Sequence, residues 1–198
     1  VVLAENAYGD ANPYTLTEYE QSPLERDLAV TAPGQAWHSS GKSVRKTYLT
    51  NSESDNNLKC RLFLVNDTRI CNDTVVNITS NGLYSKNSLF VTKTIDEDGH
   101  TNFVFTNKLG KIVLNRTLIG NSHADTYYIY DLAGNLTAVI PPALSASLGN
   151  GTFASSEINA RNLGYFYIYD WEGRCRAKKL PGCCWQVTAY DSAGKAFM

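Results

Sequence analysis

The sequence predicts an all-β fold of about ten mostly antiparallel strands, interrupted by one short helical excursion at about residues 143–163. Twelve Tyr and seven Phe accompany a single Met, and aromatic side chains suit the pleated surface of a sheet. A motif of Asp or Asn, two variable residues and Gly occurs five times between apolar runs. These observations indicate a series of β-hairpins.

The repeated motif has the residue types of a hairpin tip. Asp or Asn at the first position of a type I turn caps backbone amides, and Gly at the fourth adopts a positive φ. Such a turn followed by a left-handed Gly makes a G1-bulge hairpin. The five copies are IDEDGH (Asp96, Gly99), TNKLGK (Asn107, Gly110), YDLAGN (Asp131, Gly134), YDWEGR (Asp170, Gly173) and YDSAGK (Asp191, Gly194).

Alternating aromatic residues precede two of the tips. In the run YFYIY before the fourth tip, the period of two in a strand places Tyr165, Tyr167 and Tyr169 on one face. Phe166 and Ile168 fall on the opposite face. The run YYIY before the third tip alternates in the same way. Both faces of these strands are therefore largely apolar, and one carries hydroxyl groups.

Upstream of the tips, apolar runs predict strands, preceded by an irregular loop with a short helical turn at residues 21–41. Asn66-Asp67 and Asn81-Gly82 predict turns after two of these strands. The boundary at residue 57 separates an irregular N-terminal region with a few strands, 1–57, from a sheet of hairpins, 58–198, within one continuous unit. The predicted upstream strands are 44–49, 58–65, 75–78 and 89–94.

One segment between the third and fourth tips departs from the β pattern. Pro141-Pro142 ends a strand, and the Ser- and Ala-rich stretch that follows predicts two short helical turns around residues 149–151. Ser155 or Ser156 is the expected N-cap of the second helical turn. The excursion is therefore an insertion between two similar hairpins.

The charge and the chain ends exclude some classes of function. A formal net charge of −1 argues against nucleic-acid binding, which needs a clustered positive surplus. No run of about twenty apolar residues is present, so we expect no membrane insertion. The N-terminal residues VVLAENAYGD lack the basic and apolar regions of a signal peptide. Because both ends stop within a strand pattern, we expect the chain to be part of a longer protein.

The five cysteines include no C-x-x-C pair and no His at ligand spacing, so we expect no metal site and no cofactor. Cys60 and Cys71 flank a predicted hairpin and could form a disulfide, or pack as two half-buried thiols. We interpret the adjacent Cys183 and Cys184 as half-buried strand residues. A redox pair would need a positive or helix-N-terminal setting.

Catalytic and ion-binding interpretations have little support in the sequence. Asp131, Asp170 and Asp191 supply one carboxylate per hairpin, which suits turn capping better than calcium binding. The adjacent acids at 96–98 point in different directions, unlike an opposed glycosidase pair. No G-x-S-x-G motif is present, so a hydrolase is a remote alternative. The three histidines, all in polar loops, are His38, His100 and His123.

The tryptophans admit two interpretations. Trp37, Trp171 and Trp185 could form a sugar-stacking platform with nearby tyrosines, whereas Tyr and Trp on strands usually pack across strands. Structural packing is favoured. Trp171 is the strongest candidate for a glycan contact, because it occupies a hairpin tip where a core residue would be unusual.

Three of the motifs resemble the YD repeats of rearrangement-hotspot (RHS) proteins, as found in Bacteroidetes, and of their teneurin relatives, whose core is Tyr-Asp-x-x-Gly-Arg. YIYDWEGRCRAKKLPG has all four core residues, YIYDLAGNLTAVIPP has Asn135 in place of Arg, and AYDSAGK has Lys195. The resemblance covers most of residues 15–198 and is to the region at the start of the repeats. The matching residues are Tyr130, Asp131, Gly134, Tyr169, Asp170, Gly173, Arg174, Tyr190, Asp191 and Gly194.

In this family the repeats build a long, curling β-sheet that can close around a toxic or variable C-terminal domain; other members serve surface contact or carbohydrate binding. The resemblance implies a curved, mostly antiparallel sheet of YD-type hairpins in a secreted or cell-surface protein. The motif residues would build the wall of a β-shell and not catalyse a reaction. The implied partners are the rest of the repeat protein, a C-terminal cargo domain or a surface glycan. We expect the outer strands to associate edge to edge or to be capped by the N-terminal region.

Overall fold

A computed structural model describes residues 9–70, 74–191 and 193–197. Within these ranges the chain forms sixteen strands and three short helices, and the strands pair in antiparallel fashion. The predicted all-β, mostly antiparallel fold with a short helical excursion is confirmed. The strands outnumber the expected ones because the N-terminal loop, the excursion and the C-terminal turn also pair.

Strands occur along the whole described chain, and the helices are short. The strands are β1 (Leu16–Tyr19), β2 (Asp27–Thr31), β3 (Val44–Thr50), β4 (Arg61–Arg69), β5 (Val75–Leu83), β6 (Phe90–Ile95), β7 (Thr101–Thr106), β8 (Ile112–Ile119), β9 (Ser122–Tyr130), β10 (Leu136–Ile140), β11 (Gly151–Ala154), β12 (Tyr165–Tyr169), β13 (Cys175–Lys179), β14 (Gln186–Val187), β15 (Ala189–Tyr190) and β16 (Ala196–Phe197). The helices are α1 (Gln35–Ser40), α2 (Pro142–Ser147) and α3 (Ile158–Leu163). In the described ranges, none of these helices has the length and apolar character that crossing a membrane requires.

Eleven strands form a main sheet in the order β1-β2-β3-β6-β7-β8-β9-β10-β12-β13-β14. A second sheet contains β11, β5 and β4, and β15 pairs with β16. The main sheet runs across the boundary drawn at residue 57, since β3 pairs with β6 from Arg45↔Ile95 to Thr50↔Phe90. The division into 1–57 and 58–198 stays a prediction.

The largest buried side chains form a row across one face of the main sheet. Phe105 pairs with Leu114, Leu114 with Tyr127, and Tyr127 with Ile140, and each is at most 2% exposed. Residues that lie directly opposite each other on paired strands point to the same face of the sheet. The row therefore continues from strand to strand as one core. Burying an apolar side chain of this size contributes about 1.5–3 kcal/mol to folding.

The second sheet packs on this core through aromatic rings. The ring of Phe63 in β4 lies 5.0 Å from that of Tyr127 in β9, edge to face. It also lies 6.4 Å from the ring of Phe153 in β11. The side chain of Leu144 in α2 is buried in the same cluster. The small sheet and the excursion therefore lie over the buried face of the main sheet.

The two-faced pattern predicted for β12 is confirmed. Phe166 and Ile168 are buried in the core, whereas Tyr165, Tyr167 and Tyr169 are only partly buried on the opposite face. Burial raises the pKa values of Tyr167 and Tyr169, which therefore keep their hydroxyl protons at neutral pH. Tyr167 and Tyr169 therefore present neutral phenols on this face.

Arg116 forms a buried ion pair within the main sheet and also hydrogen-bonds the segment before β4. Arg116 in β8 donates from Nε and Nη2 to the two carboxylate oxygens of Asp125 in β9, at 2.7 and 2.6 Å. Its Nη1 donates to the backbone carbonyls of Asn56, Asn57 and Lys59. The two charged side chains are only 5% and 13% exposed. Protein groups have thus replaced the water around this guanidinium.

Two predicted turns are wrong. Asn66 and Asp67 lie inside β4, where a register shift between Val65 and Asp67 accommodates the irregularity. Asn81 and Gly82 lie inside β5, near a second register shift, and Gly82 has a φ of +74°. Pairing between the two strands extends both of them through polar dipeptides that would end an isolated strand.

The predicted N-cap of the second helix is also wrong. Glu157 occupies the N-cap position of α3, and its side chain makes no capping hydrogen bond. The hydroxyl of Ser155 instead accepts a hydrogen bond from the amide of Val76 in β5, at 3.0 Å, and Ser156 is not the cap. Between α2 and α3 the chain forms β11, which pairs with β5. The excursion therefore combines two helices with a strand of the second sheet.

Candidate functional site

All five motifs form hairpin tips, so the turn prediction is confirmed. In each tip the Gly amide donates to the carbonyl of the first Asp or Asn, whose own amide donates to the carbonyl four positions later. The glycine φ angles lie between +76° and +86°, which residues with side chains rarely adopt. The tips join β6 to β7, β7 to β8, β9 to β10, β12 to β13, and β15 to β16.

The first side chain of a motif caps its own turn, as the fourth tip illustrates. Asp170 Oδ1 accepts hydrogen bonds from the amides of Glu172 and Arg174 at 3.0 and 2.9 Å, and Oδ2 accepts one from Arg174 Nε at 2.8 Å. Burial raises the pKa of Asp170, but the bonds from the Arg174 amide and guanidinium outweigh it, and the pKa lies below its ordinary value. The carboxylate is therefore ionised and fully engaged in the turn.

Three tips lie side by side at one edge of the main sheet. The hairpins β7–β8, β9–β10 and β12–β13 follow one another in the sheet order, and antiparallel neighbours alternate in direction. Their tips consequently point to the same edge, whereas the tip at 96–99 points to the opposite one. We call residues 107–111, 131–135 and 170–174 the tip row.

A basic residue links the first tip of the row to the second. Lys111 donates from Nζ to the carbonyl of Gly134 and lies 5.0 Å from the centre of the Tyr130 ring. In return, the Tyr130 hydroxyl donates to the carbonyl of Ile112 at 2.9 Å. Lys111 follows the glycine of one motif, and Tyr130 precedes the aspartate of the next. The motif positions therefore contact each other between hairpins as well as within them.

The same pair of contacts links the fourth tip to the fifth. The guanidinium of Arg174 lies 4.8 Å from the centre of the Tyr190 ring, and the Tyr190 hydroxyl donates to the carbonyl of Cys175 at 3.0 Å. A side chain at Gly194 would approach Arg174 Nη1 to 3.8 Å. We call these reciprocal contacts, Lys111 with Tyr130 and Arg174 with Tyr190, the tip links.

The tip at 131–135, in the middle of the tip row, lacks the cation of a tip link. Asn135 follows its glycine, and Asn135 Nδ2 donates to Asp131 within the same turn, at 3.0 Å. Its Oδ1 lies 3.9 Å from where a side chain at Gly173 would begin. Sequence reasoning treated the motifs as separate turns and missed Lys111 as a linking residue. The available signal was a Lys or Arg directly after Gly, followed in the next motif by Tyr directly before Asp.

Large apolar side chains project from the tip row. Trp171 is 90% exposed and follows Asp170 directly; Leu132, at the equivalent position of the preceding tip, is 108% exposed. Leu109, one position later in its own tip, is 79% exposed. Trp185 packs against the core. It therefore does not form a shared platform of exposed rings with Trp171, the residue predicted to contact a glycan.

The histidines take part in separate local contacts. His100 Nδ1 lies 2.9 Å from Asp96 Oδ2 in its own turn, and His123 Nε2 lies 3.0 Å from Asn57 Oδ1. His38 Nε2 lies 3.2 Å from a backbone carbonyl. Among the residues that the structure describes, no histidine is hydrogen-bonded to a serine hydroxyl, and no group of three or more His, Cys, Asp or Glu could hold a metal ion.

The cysteines differ in exposure. Cys60 is a buried free thiol, and burial raises its pKa well above the ordinary value. Its proposed disulfide partner, Cys71, lies outside the described residues. Cys183 and Cys184 are exposed, so the prediction that they are half-buried strand residues is wrong. The reason is a turn after β13, in which Gly182 has a φ of +70°.

Comparison with known families gives one match. The family described as Domain of unknown function (DUF6443) matches residues 3–50, a range that includes β1, β2, α1 and β3. The tip row lies outside the matched range. The match is compatible with a YD-repeat protein, and membership of that family stays a prediction. No curated protein matches the chain.

Proposed function

We propose that the chain is a non-catalytic structural or interaction module of a secreted or cell-surface YD-repeat protein, in which its hairpins form part of a β-shell wall. The observation that supports this most strongly is the pair of tip links. In each link a cation reaches forward to the tyrosine of the next motif, and that tyrosine donates back to the preceding strand. These contacts hold one hairpin against the next.

A wall of this kind draws its stability from contacts between neighbouring units, as repeat proteins do. The motif aspartates are engaged in their turns, which suits a structural role. Within the described ranges, the outer strands of the main sheet, β1 and β14, have one side each without a paired strand. These sides would pair with further strands of the same protein or with a second copy. A C-terminal cargo domain enclosed by the shell is the further partner that this function implies.

Limited proteolysis combined with amide hydrogen exchange tests the proposal on the chain itself. The informative variant is Lys111→Met with Arg174→Met, which keeps much of the apolar stem of each side chain but removes both cations. We expect faster exchange in β8, β9 and β13 and faster cleavage at the tips, because neighbouring hairpins are no longer linked. Lys108→Met is the matched control, since it removes a cation from an exposed position of the same tip row.

The outcome of this experiment decides between a wall and a set of independent turns. Protection that is equal in the double variant, the control and the wild type would contradict the structural role of the tip links.

The exposure of Trp171 favours carbohydrate binding as the second candidate function. A flat aromatic ring at a rigid turn can stack on the apolar face of a sugar. A glycan array with the wild type and Trp171→Ala tests it. Sugar binding that disappears in the variant would support this candidate, and no binding by the wild type would contradict it.

A further inference from the structure

The fifth tip presents a lysine side chain that no group of the described chain engages. Lys195 follows the motif glycine directly, as Lys111 and Arg174 do in the two tip links. Its backbone is fixed in the turn, since its amide donates to Asp191 Oδ1 at 2.8 Å. Its side chain is exposed, and no ion pair, hydrogen bond or ring contact within the described ranges involves its ammonium group. The cation is therefore available to a group from outside these ranges.

Each tip link consists of two contacts with one tyrosine. The cation lies 5.0 Å from the ring centre in the link of Lys111 and 4.8 Å in that of Arg174. The tyrosine hydroxyl donates to the carbonyl of the residue directly after the cation, Ile112 or Cys175, at 2.9 and 3.0 Å. In both links this tyrosine directly precedes the Asp of the next motif along the chain. A cation and the carbonyl after it therefore hold a tyrosine by its ring and its hydroxyl, and we call such a pair a tyrosine slot.

The fifth tip contains both parts of a tyrosine slot. Lys195 is the cation, and Ala196 supplies the carbonyl after it. Ala196 pairs with the residue directly before the motif Asp, and Cys175 occupies the same register position in the fourth hairpin. The two tips also share the same backbone hydrogen bonds and have glycine φ angles of +76° and +77°. The slot of the fifth tip is thus complete, and within the described ranges it is unfilled.

The tip at 131–135 provides a contrast. Asn135 stands directly after its glycine and bonds to Asp131 of its own turn. The tyrosine of the next motif, Tyr169, has no cation over its ring among the residues that the structure describes. Loss of the cation from the motif thus coincides with loss of the ring contact, whereas the fifth tip retains the cation.

The occupant that fits the slot is the motif tyrosine of another hairpin. Tyr130 and Tyr190 already fill the two tip links, and Tyr169 lies in β12, which is paired on both sides by β10 and β13. A second copy of the chain therefore has no free motif tyrosine to offer. β16 pairs only with β15 within the described ranges, and a two-stranded hairpin is marginally stable by itself. A further strand beside β16 would stabilise this hairpin and bring a tyrosine to the slot.

We propose that Lys195 and the Ala196 carbonyl receive the tyrosine of a further Tyr-Asp hairpin of the same protein, whose first strand pairs with the outer side of β16. This inference rests on the proposed function, and it names the surface and the side chain through which the wall continues. The cation attracts the electron-rich face of the ring, and the carbonyl accepts a hydrogen bond from the hydroxyl. A hairpin with phenylalanine at this position would keep the first contact and lose the second.

Nuclear magnetic resonance with a hairpin peptide tests the proposal on the full chain. The probe has the sequence of residues 165–180 with Cys175→Ser, and D-Pro-Gly joins its ends so that it remains a hairpin. We expect titration of the isotope-labelled chain to shift the amide signals of residues 193–197. Lys195→Met should weaken binding about two- to fivefold, the effect of one cation–ring contact at an exposed site. A probe with Tyr169→Phe should bind more weakly by a similar factor, because the hydroxyl bond is lost.

A matched control separates the slot from a general attraction between the chain and the probe. Lys108→Met removes an exposed cation from the tip row and should leave the affinity unchanged. Equal affinity of the wild type and Lys195→Met, no binding of the probe, or shifts confined to residues outside 193–197 would overturn the proposal. So would concentration-dependent dimerisation of the wild type without the probe that is lost in Lys195→Met, since the occupant would then be a second copy.

Failure of this inference is distinguishable from failure of the proposed function. If the probe does not bind at the slot but Lys111→Met with Arg174→Met still loses protection, the wall stands and this inference fails. If that double variant keeps its full protection, the proposed function fails and this inference fails with it.

Discussion

Substitution of Gly134 by alanine separates the stability of a single turn from that of the links between turns. Gly134 has a φ of +85°, and an added Cβ would lie 2.5 Å from Lys111 Nζ. The left-handed backbone alone costs about 1–2 kcal/mol when a side chain is introduced. Displacing Lys111 also removes its hydrogen bond to Gly134 and its contact with the Tyr130 ring, which together contribute about 1 kcal/mol at a partly exposed site.

Two other tip glycines provide matched controls. Gly99 and Gly110 have φ angles of +86° and +76°, and a Cβ at either position meets nothing within 4 Å. We therefore expect Gly99→Ala and Gly110→Ala to lower the free energy of unfolding by about 1–2 kcal/mol, and Gly134→Ala by about 2–3 kcal/mol. Urea denaturation followed by circular dichroism measures all three. Equal losses in the three variants would refute the view that Lys111 stabilises the neighbouring tip.

Three further predictions concern the rest of the chain. Arg116→Met should lower the free energy of unfolding by about 3–5 kcal/mol, because it leaves Asp125 buried without its partner; urea denaturation measures the loss, and a change below about 1 kcal/mol would contradict it. The hydrogen bond from Arg26 lowers the pKa of Glu20 to about 2, so the stabilising effect of this bond is complete above pH 4.5 and is lost as the pH falls through 2. Carboxyl NMR should show that Glu20 titrates with a midpoint near 2 in the wild type, and that the midpoint returns towards 4.5 in Arg26→Met. Cys60 should resist iodoacetamide in the folded protein, as mass spectrometry can show, because it is buried with a raised pKa; labelling as fast as that of the exposed thiols would contradict this.

The hairpin tips were predictable because their determinants are local. An Asp or Asn three positions before a Gly contains both the capping group and the residue that tolerates a positive φ. All five turns therefore form where the motif occurs. The alternation of Phe166 and Ile168 with tyrosines is likewise a property of one strand, and it predicted which side chains share a face. Which of the two faces is buried depends on the rest of the sheet.

The errors occur where a distant partner decides the conformation. Asn66-Asp67 has turn-forming residues, but pairing with β5 carries β4 through it. Ser155 has the residue type of an N-cap, but its hydroxyl bonds to Val76, which lies 79 positions away in the sequence. Local preference cannot anticipate such contacts.

The candidate site also combines features set by local sequence with features set by distant contacts. The turns within the tip row were readable from the motif, whereas the contacts of Lys111 and Arg174 with the next tyrosine depend on how hairpins align in the sheet. The exposed position of Trp171 was predicted from its place in the turn. That its tip lies beside the one that carries Leu132 required the strand order.

The most direct test of the tip links is a double-mutant cycle on Lys111→Met and Tyr130→Phe, measured as free energies of unfolding. If these residues join neighbouring hairpins, the two losses should be non-additive, with a coupling of about 0.5–1 kcal/mol. The same cycle with Lys108→Met in place of Lys111→Met should be additive. Additive losses for Lys111 and Tyr130 would contradict the claim that the hairpins are linked through their motif residues.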